Sequence, residues 1–301
     1  MTLSTPEFFE TSAWTTRLAS LVSWWGTTAA SLAQKALSWE LWDVRTVVFI
    51  ASKDNVGAIE KAQKMWIPVE IVDPKNPADI LRVITKHKVQ LVFQNGWLPK
   101  TPEEVIAYLE EHGILAFNQH PGDLREDGND FWGNEKGKWM YGSRVTAARI
   151  LYLLALWLKE EDVFTSSSVH TLTKEVDGGA LVGARKLIFS RDMTKFRRAF
   201  FDWLPDMSMQ ELMTFITSLW EPKNHLQSEK RATLVNFVWH VQWELLKLEH
   251  ENVAEVVSRV IAGKMSPLPV HPDYKTPLVP WENLEVLSWA KSSAVKLYPK
   301  G

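Results

Sequence analysis

The chain has 301 residues, which allows one large domain or two smaller ones, and it contains no cysteine. The lack of cysteine excludes disulfides, cysteine-ligated zinc and thiolate nucleophiles, and it fits a reducing compartment. The 34 lysines and arginines nearly balance the 36 aspartates and glutamates, so no overall positive charge exists to hold nucleic acid or an anionic membrane. The longest apolar run, residues 150–158, is too short to span a membrane. We therefore expect a soluble cytoplasmic protein with no nucleic-acid or membrane partner.

Strand-like apolar segments alternate with segments of helical periodicity over the first 120 residues. The predicted strands are Arg17–Ser23, Thr46–Ala51, Val69–Val72, Val89–Phe93 and Ile114–Phe117. The predicted helices are Thr28–Leu37, Val56–Met65, Asp79–His87 and one that begins at Thr101-Pro102, with Pro102 at its first position. This alternation predicts an α/β fold with a doubly wound, mostly parallel sheet.

The second half of the chain begins with a long polar segment, residues 121–142, of a kind that is usually functional or mobile. The next predicted elements are a helix at Val145–Lys159 and strands at Ser167–Leu172 and Leu181–Phe189. Beyond residue 192 the pattern is helical, most clearly at Val241–Ile261, which Gly263 ends. We predict an α/β domain over residues 1–190 and a mainly helical extension over residues 191–301 that packs on it.

The common nucleotide and metal motifs are absent from the sequence. There is no G-x-G-x-x-G, no H-E-x-x-H, and the segment Gly133–Lys138 lacks the spacing and the Ser or Thr of a phosphate loop. A nicotinamide enzyme, a nucleoside-triphosphate enzyme and a metal centre therefore have little support.

Two polar clusters stand out instead. Asn118-Gln119-His120-Pro121 directly follows the fifth predicted strand, where side chains of a parallel sheet face the ligand crevice. The second cluster is Ser168–Gly179, with the sequence SVHTLTKEVDGG. Together they resemble the N-x-H-P and S-V-H-x-V-T-x-E-x-D-G-G segments of the folate-dependent formyltransferases, most closely those that act on glycinamide ribonucleotide. The resemblance covers roughly residues 17–190 and 245–266, and it implies the Rossmann-like formyltransferase fold.

The chemistry of formyl transfer explains why these residue types would be needed. Moving a formyl group from N10 of a folate to an amine creates an oxyanion and releases a proton. Asn118 can donate a hydrogen bond to the oxyanion, and His120 can carry the proton because histidine titrates near neutrality. Asp177 can orient the imidazole and stabilise its cation. We predict these three residues as catalytic.

Each of these residues also has an ordinary structural interpretation. An Asn-x-His after a strand is more often a turn with a satisfied histidine, and Asp-Gly-Gly is a common turn between strands. The spacing of the two clusters, each in the strand context of the family, favours catalysis. For His170, on the next strand, a structural role and a substrate contact are equally supported.

The resemblance also implies binding residues. Gly26, Thr27 and Thr28 precede a predicted helix, where free backbone N–H groups form an anion site, and in the family this loop takes the ribonucleotide phosphate. Glu249 occupies the position of a family carboxylate that contacts the amine, although a helical glutamate is usually solvated. For the folate we predict the residues Gly96, Trp97, Leu98, Thr173 and Val176, although the family pattern is altered after Gly96.

Tryptophan is unusually frequent, with 16 residues against 14 glycines. Several tryptophans stand where glycine is expected: Trp24, Trp25, Trp66, Trp132 and Trp139. We hypothesise that some of these codons are UGA, which the source lineage reads as glycine. The alternative is that Trp24 and Trp25 are native and form a hydrophobic lid. With indoles at these positions, we expect the chain to bind a ribonucleotide poorly.

The expected function is transfer of a formyl group from 10-formyltetrahydrofolate, as co-substrate, to a primary amine, with glycinamide ribonucleotide of purine biosynthesis as the favoured acceptor. No metal is expected, and the protein would be a monomer or a homodimer. The alternatives are an N-formyltransferase for an amino sugar or another amine, a formyltetrahydrofolate hydrolase, and a non-catalytic binding module that kept the fold.

Overall fold

The computed structural model describes residues 15–122, 142–156, 163–201, 207–263 and 283–298. These residues form two compact units. The first contains residues 15–116 and 257–263, and the second contains the other described residues. The predicted division of the chain at residue 190 stays a prediction. The polar segment 121–142 lies almost wholly outside the described residues, as do Trp132 and Trp139.

The first unit alternates strands and helices, as the sequence predicts. Its strands are β1 (Thr16–Val22), β2 (Val44–Ala51), β3 (Val69–Ile71) and β4 (Leu91–Gln94). Its helices are α1 (Thr27–Leu37), α2 (Gly57–Lys64), α3 (Pro77–Lys86) and α4 (Glu103–Glu111). The strands lie in the order β3-β2-β1-β4, and each neighbouring pair is parallel. Most predicted boundaries are therefore correct to within two residues.

The core of the first unit explains why β1 and β2 are apolar almost throughout. Residues of both strands are buried along their length because helices cover them. Helices α1 and α2 contribute small side chains, among them Ala29, Ala33, Ala58 and Ala62, to a cluster around Phe49. Alanine at these positions lets the helices approach the sheet closely, and it also favours the helix itself.

The second unit contains the last four residues of β5 (Leu115–His120) and two further strands, β6 (Phe164–Thr171) and β7 (Leu181–Ile188). The β5–β6 and β6–β7 pairs are antiparallel. The helices of this half are α5 (Ser143–Leu156), α6 (Ser190–Phe201), α7 (Met209–Ser218), α8 (His225–Ile261) and α9 (Leu284–Leu297), and the residues of α8 from 257 onwards belong to the first unit. Apolar residues of α5, α6, α7, α8 and α9 share one buried cluster.

Two predicted boundaries in this half were wrong. Helix α8 begins at His225, well before the predicted Val241, because its first turns are polar and partly exposed and carry a weak apolar pattern. Strand β6 begins at Phe164, ahead of the predicted Ser167. The prediction was late because the serines of this strand are polar although they are buried, so the apolar pattern does not show its first residues. Asn252 of α8 donates to the Ser167 carbonyl at 3.0 Å, which satisfies one of these buried polar groups.

The predicted α/β fold, with a mostly parallel sheet and a helical C-terminal region, is confirmed. Three described strand pairs are parallel and two are antiparallel. Among the helices within the described ranges, none has the length and apolar character that crossing a membrane requires.

Candidate active site

The antiparallel pairing of β5 with β6 positions three of the predicted site residues. Asn118 lies opposite His170 in the register, and His120 lies opposite Ser168. Because side chains two residues apart on a strand share a face, Asn118 and His120 point to the same side of the sheet as these two partners. The N-x-H spacing therefore brings an amide and an imidazole to one surface.

The predicted position of this cluster was wrong by a few residues. Asn118 and His120 lie within β5, which ends at His120, and do not follow the strand. The reason is that β6 supplies hydrogen-bond partners for these backbone groups, and a pairing with a later segment leaves no local signal.

Asp177 reaches this surface from the turn between β6 and β7. Its backbone is left-handed, with φ +55°, and Gly178 and Gly179 follow it. A Cβ at Gly179 would overlap the carbonyl oxygen of Thr171, so only glycine fits there. The Asp-Gly-Gly sequence is therefore a tight turn, as its ordinary interpretation requires, and this turn also carries the carboxylate to the other polar groups.

The carboxylate of Asp177 lies within reach of three predicted residues. Its Oδ2 lies 3.6 Å from Nδ1 of His120, and its Oδ1 lies 3.3 Å from Nε2 of His170. Oδ1 also accepts a hydrogen bond from Nδ2 of Asn118 at 3.3 Å. Burial alone would raise the pKa of Asp177, but the charge of His120 and the interactions with His170 and Asn118 outweigh it and lower the pKa to about 2. Asp177 is therefore ionised at neutral pH.

The two ring nitrogens of His120 have different surroundings. The residue is buried, and Nδ1 faces Asp177, whereas Nε2 is buried without a hydrogen-bond partner among the described residues. An unpaired buried polar atom is costly, and a bound ligand is one way in which it can be satisfied. Of the three clustered residues, His120 therefore offers the clearest point of contact for a substrate.

Glu249 lies on α8 and is only 4% exposed. The interpretation of this residue as part of a solvated helix face is therefore wrong. Asn252, three residues later and on the same side of the helix, donates to Ser167 of β6, so this side of α8 faces the sheet. A contact between Glu249 and an amine stays a prediction.

The predicted phosphate loop belongs to the first unit. Gly26 caps α1 with a left-handed backbone (φ +58°), and no side chain caps this helix end. Trp24 and Trp25 immediately precede it, and the Trp25 ring lies against Gly57 at the start of α2. Lys53 and Lys61 lie over the Trp24 and Trp25 rings, with Nζ at 5.1 and 5.6 Å from the respective ring centres.

The residues predicted to bind folate fall in both units. In the first unit, Gly96 has φ +79°, Trp97 is buried and Leu98 is exposed. In the second unit, Thr173 donates to the Glu175 carbonyl at 3.0 Å, and Val176 is exposed. Their roles as folate contacts stay predictions.

Sequence reasoning missed a serine network in the first unit that organises the carboxyl ends of β1, β2 and β4. Ser23 accepts from Ser52 Oγ at 2.8 Å and from the Leu98 N–H at 3.1 Å, while its own N–H donates to the Gly96 carbonyl at 3.1 Å. A lone serine at a strand end carries no pattern that distinguishes it from a turn residue. Within the described ranges, no group of three or more acidic or histidine side chains could hold a metal ion.

Comparison with known proteins identifies the fold. No family model matches the chain, and no curated protein matches it. Among solved structures, phosphoribosylglycinamide formyltransferase from Anaplasma phagocytophilum is 17% identical, with a TM-score of 0.51, over 83% of this chain and 89% of that one. Glycinamide ribonucleotide transformylase 1 from Symbiobacterium toebii is 14% identical, with a TM-score of 0.50, over 86% and 94%. The same enzyme from Geobacillus kaustophilus is 16% identical, with a TM-score of 0.50, over 82% and 99%. The predicted resemblance to the formyltransferases is thus confirmed at the level of the fold.

Proposed function

We propose that this protein transfers the formyl group of 10-formyltetrahydrofolate to a primary amine, with glycinamide ribonucleotide as the favoured acceptor. The observation that carries the proposal is the convergence of Asn118, His120 and Asp177 on one face of the β5–β6 pair. The three groups are the hydrogen-bond donor, proton carrier and carboxylate that acyl transfer to an amine requires. Nε2 of His120, which is buried and has no hydrogen-bond partner among the described residues, fits a bound substrate.

Asn118 has the geometry of an oxyanion donor. Its Nδ2 atom, Nε2 of His170 and Oδ1 of Asp177 form a triangle with sides of 3.0, 3.3 and 3.3 Å. The directions from Nδ2 to the two acceptors therefore differ by about 60°. The two N–H bonds of an amide diverge by about 120°, so a single N–H directed between the two acceptors can serve both of them. The second N–H is left to donate to the formyl oxygen as negative charge develops on it.

His120 accepts the proton, and Asp177 stabilises the ring that then carries it. Nε2 of His120 accepts the proton that the attacking amine loses, and the ring then becomes a cation. The ionised carboxylate of Asp177, at 3.6 Å from Nδ1, stabilises that cation, and catalytic pairs of this kind shorten when substrate binds. The lowered pKa of Asp177 keeps the carboxylate charged through the whole neutral range.

A second acceptor class is favoured by one observation. Trp24 and Trp25 stand directly before the Gly26 cap of α1, where the backbone N–H groups would hold a phosphate and where the family has glycine and a small residue. An amine without a phosphate, such as an amino sugar, would not need that approach. Amines without a phosphate are therefore the second candidate class of acceptor.

The test is turnover of 10-formyltetrahydrofolate with a panel of amines, which includes glycinamide ribonucleotide and amino sugars, and with no amine as the assay for hydrolysis. We expect formylated amine as the product. Asn118→Ala should reduce kcat by about 10²–10³-fold and His120→Asn by about 10²–10⁴-fold.

The matched control is His225→Asn, because the His225 side chain is 87% exposed and lies at the start of α8. This variant should keep full turnover. Formate release at the same rate with and without amines would indicate the hydrolase instead. No turnover with any acceptor, or full activity of the His120 variant, would contradict the proposal.

A further inference from the structure

His170 is almost fully buried, with only 1% of its surface exposed, so it offers little surface to a substrate. Its Nδ1 lies 2.9 Å from the Thr171 carbonyl oxygen. A carbonyl can only accept, so Nδ1 carries a proton and the ring is held in one orientation. The other ring nitrogen, Nε2, lies 3.0 Å from the amide nitrogen of Asn118, which can only donate, so Nε2 accepts in that contact.

The neighbours of Nε2 determine what it does. It lies 3.0 Å from Nδ2 of Asn118 and 3.3 Å from Oδ1 of Asp177. Two acceptors, the imidazole lone pair and the carboxylate, thus face the same end of the Asn118 amide. An amide oxygen at that end would be repelled by both, whereas an amide N–H is attracted by both.

We propose that His170 is a positioning residue, which acts by holding the Asn118 amide with its nitrogen towards His170 and Asp177 and its second N–H free for the substrate. The inference rests on the proposed function, because it assigns Asn118 as the donor. Rotation of an asparagine amide is otherwise loosely restricted, so losing the nearer of the two acceptors weakens the preference for the amide nitrogen over the oxygen on this side.

Kinetics of His170→Leu and His170→Gln test this role, because glutamine keeps an acceptor and leucine does not. We expect kcat of His170→Leu to fall at least about tenfold with little change in KM, and His170→Gln to recover most of it. In an Asn118→Ala background, His170→Leu should cause no further loss. Additive losses in the double variant, or equal losses in Leu and Gln, would overturn the proposal.

A readout independent of turnover distinguishes failure of this inference from failure of the proposed function. In 15N-labelled wild-type protein, one side-chain proton of Asn118 should be hydrogen-bonded and exchange slowly with solvent. Because Asp177 still accepts from the amide in His170→Leu, that protection should be reduced there but not abolished, and it should be kept in His170→Gln. Unprotected protons in the wild type would overturn the role of His170, whether or not the enzyme formylates an amine.

A separate observation concerns two exposed tryptophans, Trp39 and Trp66, that follow α1 and α2. Both have a left-handed backbone, with φ +66° and +58°, and they are 68% and 94% exposed. The left-handed region brings Cβ too close to the following carbonyl and is rare for bulky residues. The other non-glycine residues with positive φ in the described ranges are Asn55, Lys88 and Asp177.

The end of α2 shows the hydrogen bonds of a glycine-type helix cap. The Ile67 N–H donates to the Ala62 carbonyl and the Trp66 N–H donates to the Gln63 carbonyl, both at 3.0 Å. This pair of bonds defines the Schellman motif, whose left-handed position is usually glycine. The Trp66 side chain buries almost nothing in return for the strained backbone.

We infer that residues 39 and 66 are glycine in the protein made by its own lineage, from UGA codons read there as glycine. Seven of the ten tryptophans in the described ranges have more than a third of their surface exposed, although tryptophan is among the most buried large side chains on average. Trp39 extends the hypothesis to a position that the sequence analysis had not identified.

Stability measurements on Trp66→Gly and Trp66→Ala, and on the same pair at residue 39, test the inference in the protein. Both substitutions remove the indole, but only glycine removes Cβ. We expect the folding equilibrium constant of each glycine variant to exceed that of its alanine counterpart by roughly 5- to 30-fold. The codons provide the second test.

The control is Trp42, which is 70% exposed but is absent from the residues with positive φ. Glycine there should be no more stable than alanine. Equal stability of the glycine and alanine variants at residues 39 and 66 would overturn the inference, and so would UGG codons at both positions.

Discussion

Nδ1 of His120 lies 3.6 Å from Oδ2 of Asp177, although one residue ends β5 and the other lies in the turn after β6. The distance is longer than a hydrogen bond, so the interaction between the two groups is mainly electrostatic, and it is strongest when the imidazole carries a proton. This relationship means that the carboxylate does more for a cationic ring than for a neutral one. If His120 gains a proton during turnover, the Asp177 carboxylate stabilises the ring in that protonated state.

Asp177 should make the free energy of unfolding depend on pH in the acidic range. Its pKa falls from 3.8 to about 2 in the folded protein, so folding favours the ionised form. The contribution, about 2 kcal/mol, is complete above about pH 5 and is lost as the pH falls through about 2. Urea unfolding of wild type and Asp177→Asn between pH 5 and pH 2 measures it. The difference in the free energy of unfolding should shrink by this amount, and a constant difference would contradict the pKa.

Removing the two indoles before α1 should strengthen binding of a phosphate-bearing amine. Glycine at both positions removes two bulky side chains directly before the N-terminus of α1 and releases Lys53 and Lys61 from the rings they cover. We expect Trp24→Gly/Trp25→Gly to bind glycinamide ribonucleotide about tenfold or more tightly, measured by calorimetry.

The comparison for this variant is Trp42→Gly, which also removes an exposed indole. It should leave the affinity unchanged. An amine without a phosphate should bind equally to all three proteins, and equal affinities for the ribonucleotide would indicate that the loop before α1 does not hold phosphate.

The capping box at the start of α7 should make a measurable contribution to the free energy of unfolding. Ser208 accepts from the Glu211 N–H at 3.3 Å, and the Glu211 carboxylate accepts from the Ser208 N–H at 2.8 Å. Ser208→Ala should therefore cost about 1 kcal/mol in the free energy of unfolding. Thr214→Ala, an exposed site in the same helix, should be neutral or slightly stabilising. A cost equal to that of the control would show that the cap contributes nothing.

Asn252 should be a stability residue of the second unit. Its Nδ2 donates to the carbonyl of Ser167 at 3.0 Å, and the residue is 1% exposed. Asn252→Ala leaves that buried carbonyl short of a partner, which costs about 1–3 kcal/mol. Glu251→Ala, its neighbour on the exposed side, breaks an ion pair with Arg185 and should cost less than about 1 kcal/mol. Denaturant unfolding of the two variants compares them directly.

Much of the first unit follows from the sequence alone. Strands β1, β2 and β4 are buried over most of their length and so are nearly continuous apolar runs, and the helices of this unit carry an amphipathic pattern and start and stop residues. Local patterns of this kind need no distant partner to be interpreted. The period of two along a strand likewise predicts that Asn118 and His120 share a face.

Pairing between distant segments decided the rest. That β5 continues to His120, that the serines of β6 are buried, and that Asp177 meets Asn118 and His170 all depend on hydrogen bonds between segments far apart in the chain. The left-handed backbone at Trp39 is equally invisible to sequence patterns, because nothing about tryptophan indicates it. The sequence determined which groups could perform the chemistry, and only the antiparallel register and the Asp-Gly-Gly turn determined that they lie within a few ångströms of one another.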